Sequence, residues 1–554
     1  VVGLAAAAEM IVSGKPISGK KALDNGLVDR LVGEDFIADA AAFAAEMAEK
    51  DSHPATDAKA VELPAPDFFE TLRKTWSRRS RGARAPQACI DCLQAAVDLP
   101  IDQGLKRERE IFQECVTSPE AAAMRAIFFA ERQAARLKGD DAKVEPRTVE
   151  TVSVLGSGTM GTGITIAFLD GGFPVTLLDT NQEALARAKE RIAKTYDGSI
   201  AKGRISEAQR GARLGALSLA TSLEEAANAD MIVEAVFEEM DVKKSIFTDL
   251  GKMTSPGTIL ASNTSYLNID EIASVTGGRE ADVLGMHFFS PANIMKLLEV
   301  VRADKTDPAV LQAALAIGKK LGKVCVVAGV CHGFIANRTL EGYMREAQFL
   351  LEEGATPSQV DGALTKFGMA MGPLAVADLA GLDISWAKRK AAEATRDPAI
   401  RYSGVSDRLC ENGWFGQKTG RGYYVYDPET RRPSPNREVD AIIAAEAKAS
   451  GIKRREISDA EIVERCFFTV INEGARVLEE GIAQRASDID VAWVNGYGYP
   501  RHRGGPMHWA DTLGAARILT RIEAFNQAHD FWEPAPLLRQ LAEQDKTFAS
   551  LSEG

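Results

Sequence analysis

A short β-rich run, Thr151-Val152-Ser153-Val154-Leu155, stops at Gly156-Ser157-Gly158-Thr159-Met160-Gly161, and an apolar helical stretch with Ile164, Ile166, Ala167 and Leu169 begins at once. A strand, a turn with glycines at these spacings and a helix together form the opening of a βαβ unit. Gly156 permits the tight turn, Gly158 lets a diphosphate come up to the backbone, and Gly161 lets helix and strand pack closely. The helix start then offers free N–H groups and the positive end of its dipole to an anion. A second strand, over 175–178, ends at Asp179, where a carboxylate can accept both hydroxyls of a ribose. A 2′-phosphate would meet that charge unrelieved, since Thr180-Asn181 brings no Arg. The pattern therefore favours NAD over NADP.

Further strand candidates lie over 231–236, 258–261, 283–287, 297–301 and 324–327, separated by helical stretches. That alternation predicts an α/β domain, a Rossmann-like, doubly wound parallel sheet. After Gly333 the chain turns helical and repeats itself. Leu340, Tyr343, Met344, Ala347, Leu350 and Leu351 form one helical face closed by Gly354. Thr356-Pro357-Ser358-Gln359 then supplies an N-cap, a Pro at the first helical position and a capping-box Gln. Further on, Leu351-Glu352-Glu353-Gly354 returns as Leu478-Glu479-Glu480-Gly481, and Asp361 as Asp490. Gly372-Pro373 likewise returns as Gly505-Pro506, and Ala377-Asp378 as Ala510-Asp511. Two copies of one all-α domain are expected, joined by a Gly-rich segment over 413–426. The second copy brings no sheet with it, so its expected role is structural, a dimer-like packing within one chain.

The chain has 554 residues, which calls for several hydrophobic cores. A formal charge of −12 and the lack of a basic stripe argue against nucleic acid. No apolar stretch reaches the roughly 20 residues that a bilayer span needs. The cysteines are scattered and odd in number, as in a reducing compartment. Cys89-Ile-Asp-Cys92 lacks the second ligand pair that zinc would want, so no metal site is expected. Val1-Val2-Gly3-Leu4 is not a secretory signal, and it reads as a cut within a larger protein. Leu551-Ser552-Glu553-Gly554 is not a peroxisomal address. A cytoplasmic, bacterial-type localisation is the expectation.

Oxidising an alcohol with a nicotinamide acceptor needs a base for the hydroxyl proton and a partner to orient that base. The histidines are His53, His287, His332, His502, His508 and His529. His287 alone ends an apolar strand of the sheet domain. Glu299 stands in the next β-rich run, and a turn through Pro291-Ala292-Asn293 could bring the two strands side by side. A carboxylate beside an imidazole fixes its tautomer and raises its basicity, as a general base near neutral pH requires.

At this point the residues carry a resemblance. The Gly156 to Gly161 turn with Met160, Ser262-Asn263-Thr264-Ser265, His287-Phe288-Phe289-Ser290-Pro291, Leu298-Glu299-Val300-Val301 and Gly333-Phe334-Ile335-Ala336-Asn337-Arg338 resemble the 3-hydroxyacyl-CoA dehydrogenases. Near the start, Glu9-Met10-Ile11-Val12-Ser13-Gly14-Lys15-Pro16-Ile17, Ala22-Leu23 and Gly26-Leu27-Val28-Asp29 resemble the C-terminal end of an enoyl-CoA hydratase domain. That family's two catalytic glutamates lie upstream of the matching stretch. The whole arrangement is similar to the multifunctional fatty-acid β-oxidation enzymes.

The resemblance implies a domain plan. A hydratase remnant would span 1–50, a linker with a long helix 51–147, and the NAD-binding dehydrogenase domain 148–331. The two helical domains would span 332–430 and 455–554. It also implies reversible oxidation of an L-3-hydroxyacyl-CoA to the 3-ketoacyl-CoA with NAD+, in a parent that also hydrates enoyl-CoA, a lyase activity. His287 would deprotonate the 3-hydroxyl and Glu299 would hold and charge-stabilise it. Ser265 and Asn337 would bond the substrate oxygen region, and Glu238 and Lys243 would touch the cofactor. A 3-ketoacyl-CoA thiolase subunit is a candidate partner. Where the family commonly places Asn, this chain has Ser290, which is not counted as a contact.

Three other readings compete. A dehydrogenase of small free 3-hydroxy acids would use a lysine base and have no need of the His287/Glu299 pair. A non-catalytic NAD-binding protein would not need Ser265, His287, Glu299 and Asn337 together. A hydratase or isomerase would need a domain of which only the end is recognisable.

Overall fold

The computed structural model describes residues 1–52, 61–397, 399–527 and 530–552. His53 and His529 lie outside them. The chain divides into two compact units, one of residues 1–122 with 366–368, the other of residues 123–365 with 369–554. In the first unit, Leu4, Ala8 and Val12 of the helix Leu4–Ser13 pack on Ile90 and Leu93 of the helix Arg84–Asp98. Phe68, Phe69, Leu72 and Trp76 complete that small core, and Arg73 pairs with Asp91 at 2.7 Å beside it.

The second unit is built on one eight-stranded sheet. Its strands are β1 (Val152–Leu155), β2 (Val175–Leu178), β3 (Leu217–Ala220), β4 (Met231–Glu234), β5 (Ile259–Ser262), β6 (Val283–Phe288), β7 (Leu297–Arg302) and β8 (Val324–Gly329). They lie in the order β3-β2-β1-β4-β5-β6-β7-β8. The reversal of order beside β1 is the switch point of a doubly wound sheet, where nucleotides bind at the strands' carboxyl ends. Helices cover both faces, so the central strands are buried throughout. Val154, Leu177, Val233, Ala261, Leu284 and Leu298 share one core with Ile164 and Phe168 of the helix Thr159–Asp170.

Two features depart from the sequence expectation. β3 was not anticipated; it is a half-exposed edge strand with no clear apolar alternation. The sheet is also not wholly parallel, because β7 runs antiparallel to β6. The connection over 289–296 is shorter than the dozen or so residues that a parallel crossover demands, so it closes as a hairpin.

Two helical copies follow. Ala336–Glu353, Pro357–Phe367, Pro373–Ala380 and Leu382–Ala391 correspond in order to Asp459–Glu479, Ala486–Gly496, Pro506–Leu513 and Ala515–Asn526. A buried carboxylate organises each copy. Asp361 accepts hydrogen bonds from the backbone N–H groups of Leu374 and Ala375, at the start of the third helix. Asp490 accepts from Met507 and His508 at the same place in the second copy. A second acid closes each copy: Asp378 accepts from the N–H groups of Tyr423 and Tyr424, and Asp511 from those of Phe548 and Ala549. Among the described residues, no helix is long and apolar enough to cross a membrane.

Candidate functional site

The turn after β1 has the geometry that its glycines predict. Gly156 has φ +98°, and a Cβ there would stand 2.6 Å from the Ala235 carbonyl oxygen. A Cβ at Gly161 would collide with the carbonyl oxygen of Gly156, so the helix can approach the turn only without one. At Gly158, by contrast, nothing stands within 4 Å of where a Cβ would be, which leaves open space at the helix start. Met160 lies half-buried against the sheet core. Asp179, just past β2, reaches back to the turn. Its carboxylate accepts from the Ser157 backbone N–H at 2.9 Å and hydroxyl at 2.6 Å, and from the Asn181 N–H at 3.0 Å. Burial works against its charge, but these bonds, with Arg187 nearby, hold the carboxyl below the usual range. It stays a carboxylate, able to accept from a ribose. Open space at a helix N-terminus beside an ionised acid suits NAD.

β6 and β7 supply the base and its partner. The hairpin register sets His287 directly opposite Glu299. His287 Nδ1 lies 2.7 Å from Glu299 Oε2, with His287 almost wholly buried and Glu299 completely so. An ionised carboxylate can only accept, so Nδ1 carries the proton and Nε2 keeps its lone pair. The other carboxylate oxygen, Oε1, accepts from the N–H groups of Ile335 (3.1 Å) and Ala336 (2.9 Å), at the N-terminus of the first helical copy. One buried side chain thereby binds the base and anchors a helix whose positive end faces it. The rings of Phe289 and Phe334 stand 4.5 and 5.8 Å from the imidazole.

Ser265 follows β5, in a loop gathered around Glu238. Glu238 Oε1 accepts from the Thr264 hydroxyl and the Ser265 N–H, both at 2.7 Å, and from the Tyr266 N–H at 3.2 Å. Lys243 lies beneath it with a fully buried side chain, its ammonium 2.6 Å from Glu234 and 3.6 Å from Glu238. Asn337, in the first turn of its helix, aims Nδ2 at the Ser265 carbonyl oxygen at 3.5 Å. The expected residues thus fall into two linked clusters, Ser265–Glu238–Lys243 and His287–Glu299, with Asn337 on the same helix start that Glu299 holds. Ser290 is exposed at the hairpin turn. Cys89 and Cys92 are half-buried on one helix, and among the described residues no group of three or more His, Cys, Asp or Glu side chains could hold a metal.

Sequence reasoning missed three contributors. Glu234 ends β4 fully buried, taking Lys243 on one oxygen and the Ser262 hydroxyl, at 2.6 Å, on the other. A glutamate closing an apolar strand was its available signal. Asn263 Oδ1 accepts the Phe288 N–H at 2.9 Å and ties β5 to the residue after His287. Tyr497, from the second helical copy, donates to Asn337 Oδ1 at 2.8 Å.

Two family models match the chain: the NAD-binding domain of 3-hydroxyacyl-CoA dehydrogenase over 151–331, and its C-terminal domain over 333–426 and 462–551. The peroxisomal bifunctional enzyme of Danio rerio is 38% identical, over 98% of this chain and 77% of the relative. A peroxisomal fatty acid beta-oxidation multifunctional protein of Oryza sativa subsp. japonica is 33% identical, over 98% of this chain and 76% of its own. Among solved structures, 3-hydroxybutyryl-CoA dehydrogenase from Escherichia coli K12 superposes with a TM-score of 0.62 at 28% identity, covering 72% of this chain and 99% of the other. The expectation of a cytoplasmic, bacterial-type localisation is overturned, because relatives matched along nearly the whole chain are peroxisomal proteins.

Proposed function

The chain belongs to the 3-hydroxyacyl-CoA dehydrogenase family in its multifunctional β-oxidation form, and from that premise we propose how its own residues run the reaction. The activity is NAD-dependent oxidation of a 3-hydroxyacyl-CoA to the 3-ketoacyl-CoA. When bound, NAD+ supplies the acceptor for the hydride of C3. His287 takes the hydroxyl proton on Nε2, and Glu299 stabilises the imidazolium that results. The observation that carries this reading is the 2.7 Å bond between His287 Nδ1 and a completely buried Glu299, which leaves Nε2 free as a base. The Ser265 hydroxyl and the Asn337 amide donate to the substrate oxygens and hold C3 in line. Gly156, Gly158, Met160 and Gly161 shape the diphosphate site, and Asp179 accepts the ribose hydroxyls. Glu238 lines the cofactor pocket, and Lys243 acts there through Glu238, a role supported by its complete burial.

In domain terms we assign the dehydrogenase to 148–331 and the two helical domains to 332–430 and 455–554, supported by family-model matches that start and stop close to these limits. Residues 1–50 we read as hydratase-derived, on the likeness of Glu9 to Asp29, with 51–147 as the linker and hydration as the parent's second activity. A 3-ketoacyl-CoA is what a thiolase cleaves, and that chemistry is the ground for naming a 3-ketoacyl-CoA thiolase as candidate partner.

The test follows NADH consumption with acetoacetyl-CoA, using free acetoacetate as control. Turnover of the thioester alone is expected; equal turnover of the free acid would support a small-hydroxyacid enzyme instead. His287→Ala should lower kcat about 10²–10⁴-fold while NADH still binds. An active variant would remove His287 from its role. Asp179→Ala should weaken NADH binding, and a variant that bound as tightly as the parent would refute the ribose contact.

A further inference from the structure

The second helical copy was expected only to pack, yet its second helix ends against the site. A Cβ at Gly496 would stand 2.7 Å from Leu297, the first residue of β7, so this helix end lies directly on the strand that carries Glu299. The chain then turns, with the N–H groups of Tyr497 and Tyr499 both donating to the Trp493 carbonyl oxygen at 3.1 Å. That turn sets the Tyr497 ring between Trp493 (5.2 Å) and Phe289 (6.0 Å), both edge-to-face. Phe289 is the ring that stands beside His287.

The Tyr497 hydroxyl meets Asn337 Oδ1 at 2.8 Å. A carboxamide has one acceptor end and one donor end. With the acceptor end taken by a phenol, the donor end Nδ2 must face the other way, toward Ser265, where it lies. Burial, with Glu299, Tyr266 and Glu341 nearby, pushes the phenol well above its ordinary range, so it keeps a proton to donate at any working pH.

We infer that Tyr497 is a positioning residue of the dehydrogenase, holding the Asn337 amide so that its N–H groups face the substrate oxygen; this rests on the role proposed above for Asn337. A free amide would spend part of its time with Oδ1 toward the substrate, where oxygen faces oxygen. The second copy therefore sets the donor through Tyr497 alone.

Tyr497→Phe keeps the ring and its two aromatic neighbours and removes only the hydroxyl. One net hydrogen bond is lost, so kcat/KM for acetoacetyl-CoA should fall about 3- to 10-fold with NADH affinity unchanged, and the unfolding temperature should drop by no more than that single bond accounts for. Asn337→Ala should fall further, and the double variant should be no worse than Asn337→Ala alone. An unimpaired Tyr497→Phe beside an impaired Asn337→Ala overturns the positioning role and leaves the proposed function standing. Losses that add in the double variant also overturn it, since they mark a packing role. An unimpaired Asn337→Ala overturns both the positioning role and the substrate contact given to Asn337.

Discussion

The two helical copies share one internal scaffold and differ in what their ends touch. Each hangs its third helix on a buried aspartate, Asp361 or Asp490. In each, the helix is preceded by a glycine, Gly372 or Gly505, at which any Cβ would collide with that aspartate. Each is closed by a second acid that holds the following chain by its backbone N–H groups. Their long first helices pack on each other through Arg465, which pairs with Glu346 at 2.7 Å and with Glu353 at 2.5 Å. The outward contacts are not shared. The first copy presents its N-terminus to Glu299 and brings Asn337; the second presents a helix C-terminus to β7 and brings Tyr497. Hydrogen bonds that begin and end inside a copy survive duplication whatever surrounds it. Contacts with the sheet depend on which end lies nearby, and so the two copies have come to serve the site differently.

The largest test of that contrast is Glu299→Gln. The amide leaves the first copy's N–H groups an acceptor but removes the charge that supports His287. We expect kcat to fall by about 10²-fold or more, with NADH affinity little changed. A loss no larger than that of Tyr497→Phe would erase the distinction between a direct and an indirect contribution.

The scaffold is compared by Asp361→Ala and Asp490→Ala. Each orphans two backbone N–H groups, at about 1–3 kcal/mol apiece, so a cost of about 2–6 kcal/mol is expected in either copy. Hydrogen exchange resolved helix by helix would measure both. Markedly unequal losses would mean that the shared bonds do not carry equal weight.

The smallest expected effect separates the copies by pH. Asp488, in the second copy alone, is completely buried with Arg485 no nearer than 3.8 Å. Burial pushes its carboxyl up to about 7, and Arg485 pulls it back only in part. A folded-state value above the ordinary 3.8 means that the fold is favoured below 3.8 and loses that stability as pH rises through about 7. Asp488→Asn should therefore raise the unfolding temperature at pH 8, by a free energy on the order of 1–3 kcal/mol, and less at pH 5. A difference independent of pH would show that Asp488 is not titrating there.

What was legible in the sequence is what local chemistry dictates. The turn of Gly156 and Gly161 and the acid at Asp179 are fixed by sterics and charge within one βαβ unit. His287 and Glu299 could be paired because a short hairpin leaves few registers. The duplication could be read because the capping acids and their glycines recur in the same order. The rest has no local period. β3 lies half in water and needs no apolar alternation. Lys243 reads as a surface lysine until Glu234, at the end of another element, is seen to bury it. Tyr497 meets Asn337 across 160 positions of chain, and only the fold brings them together.

The divided duty of Glu299 acts as an interlock. A ribosome delivers the sheet before the two helical copies, and at that stage one carboxylate oxygen still lacks its partners. Until Ile335 and Ala336 arrive to take that oxygen, the side chain is free to swing, and the imidazole loses its fixed bearing. Chemistry waits for the start of the first helical copy to dock.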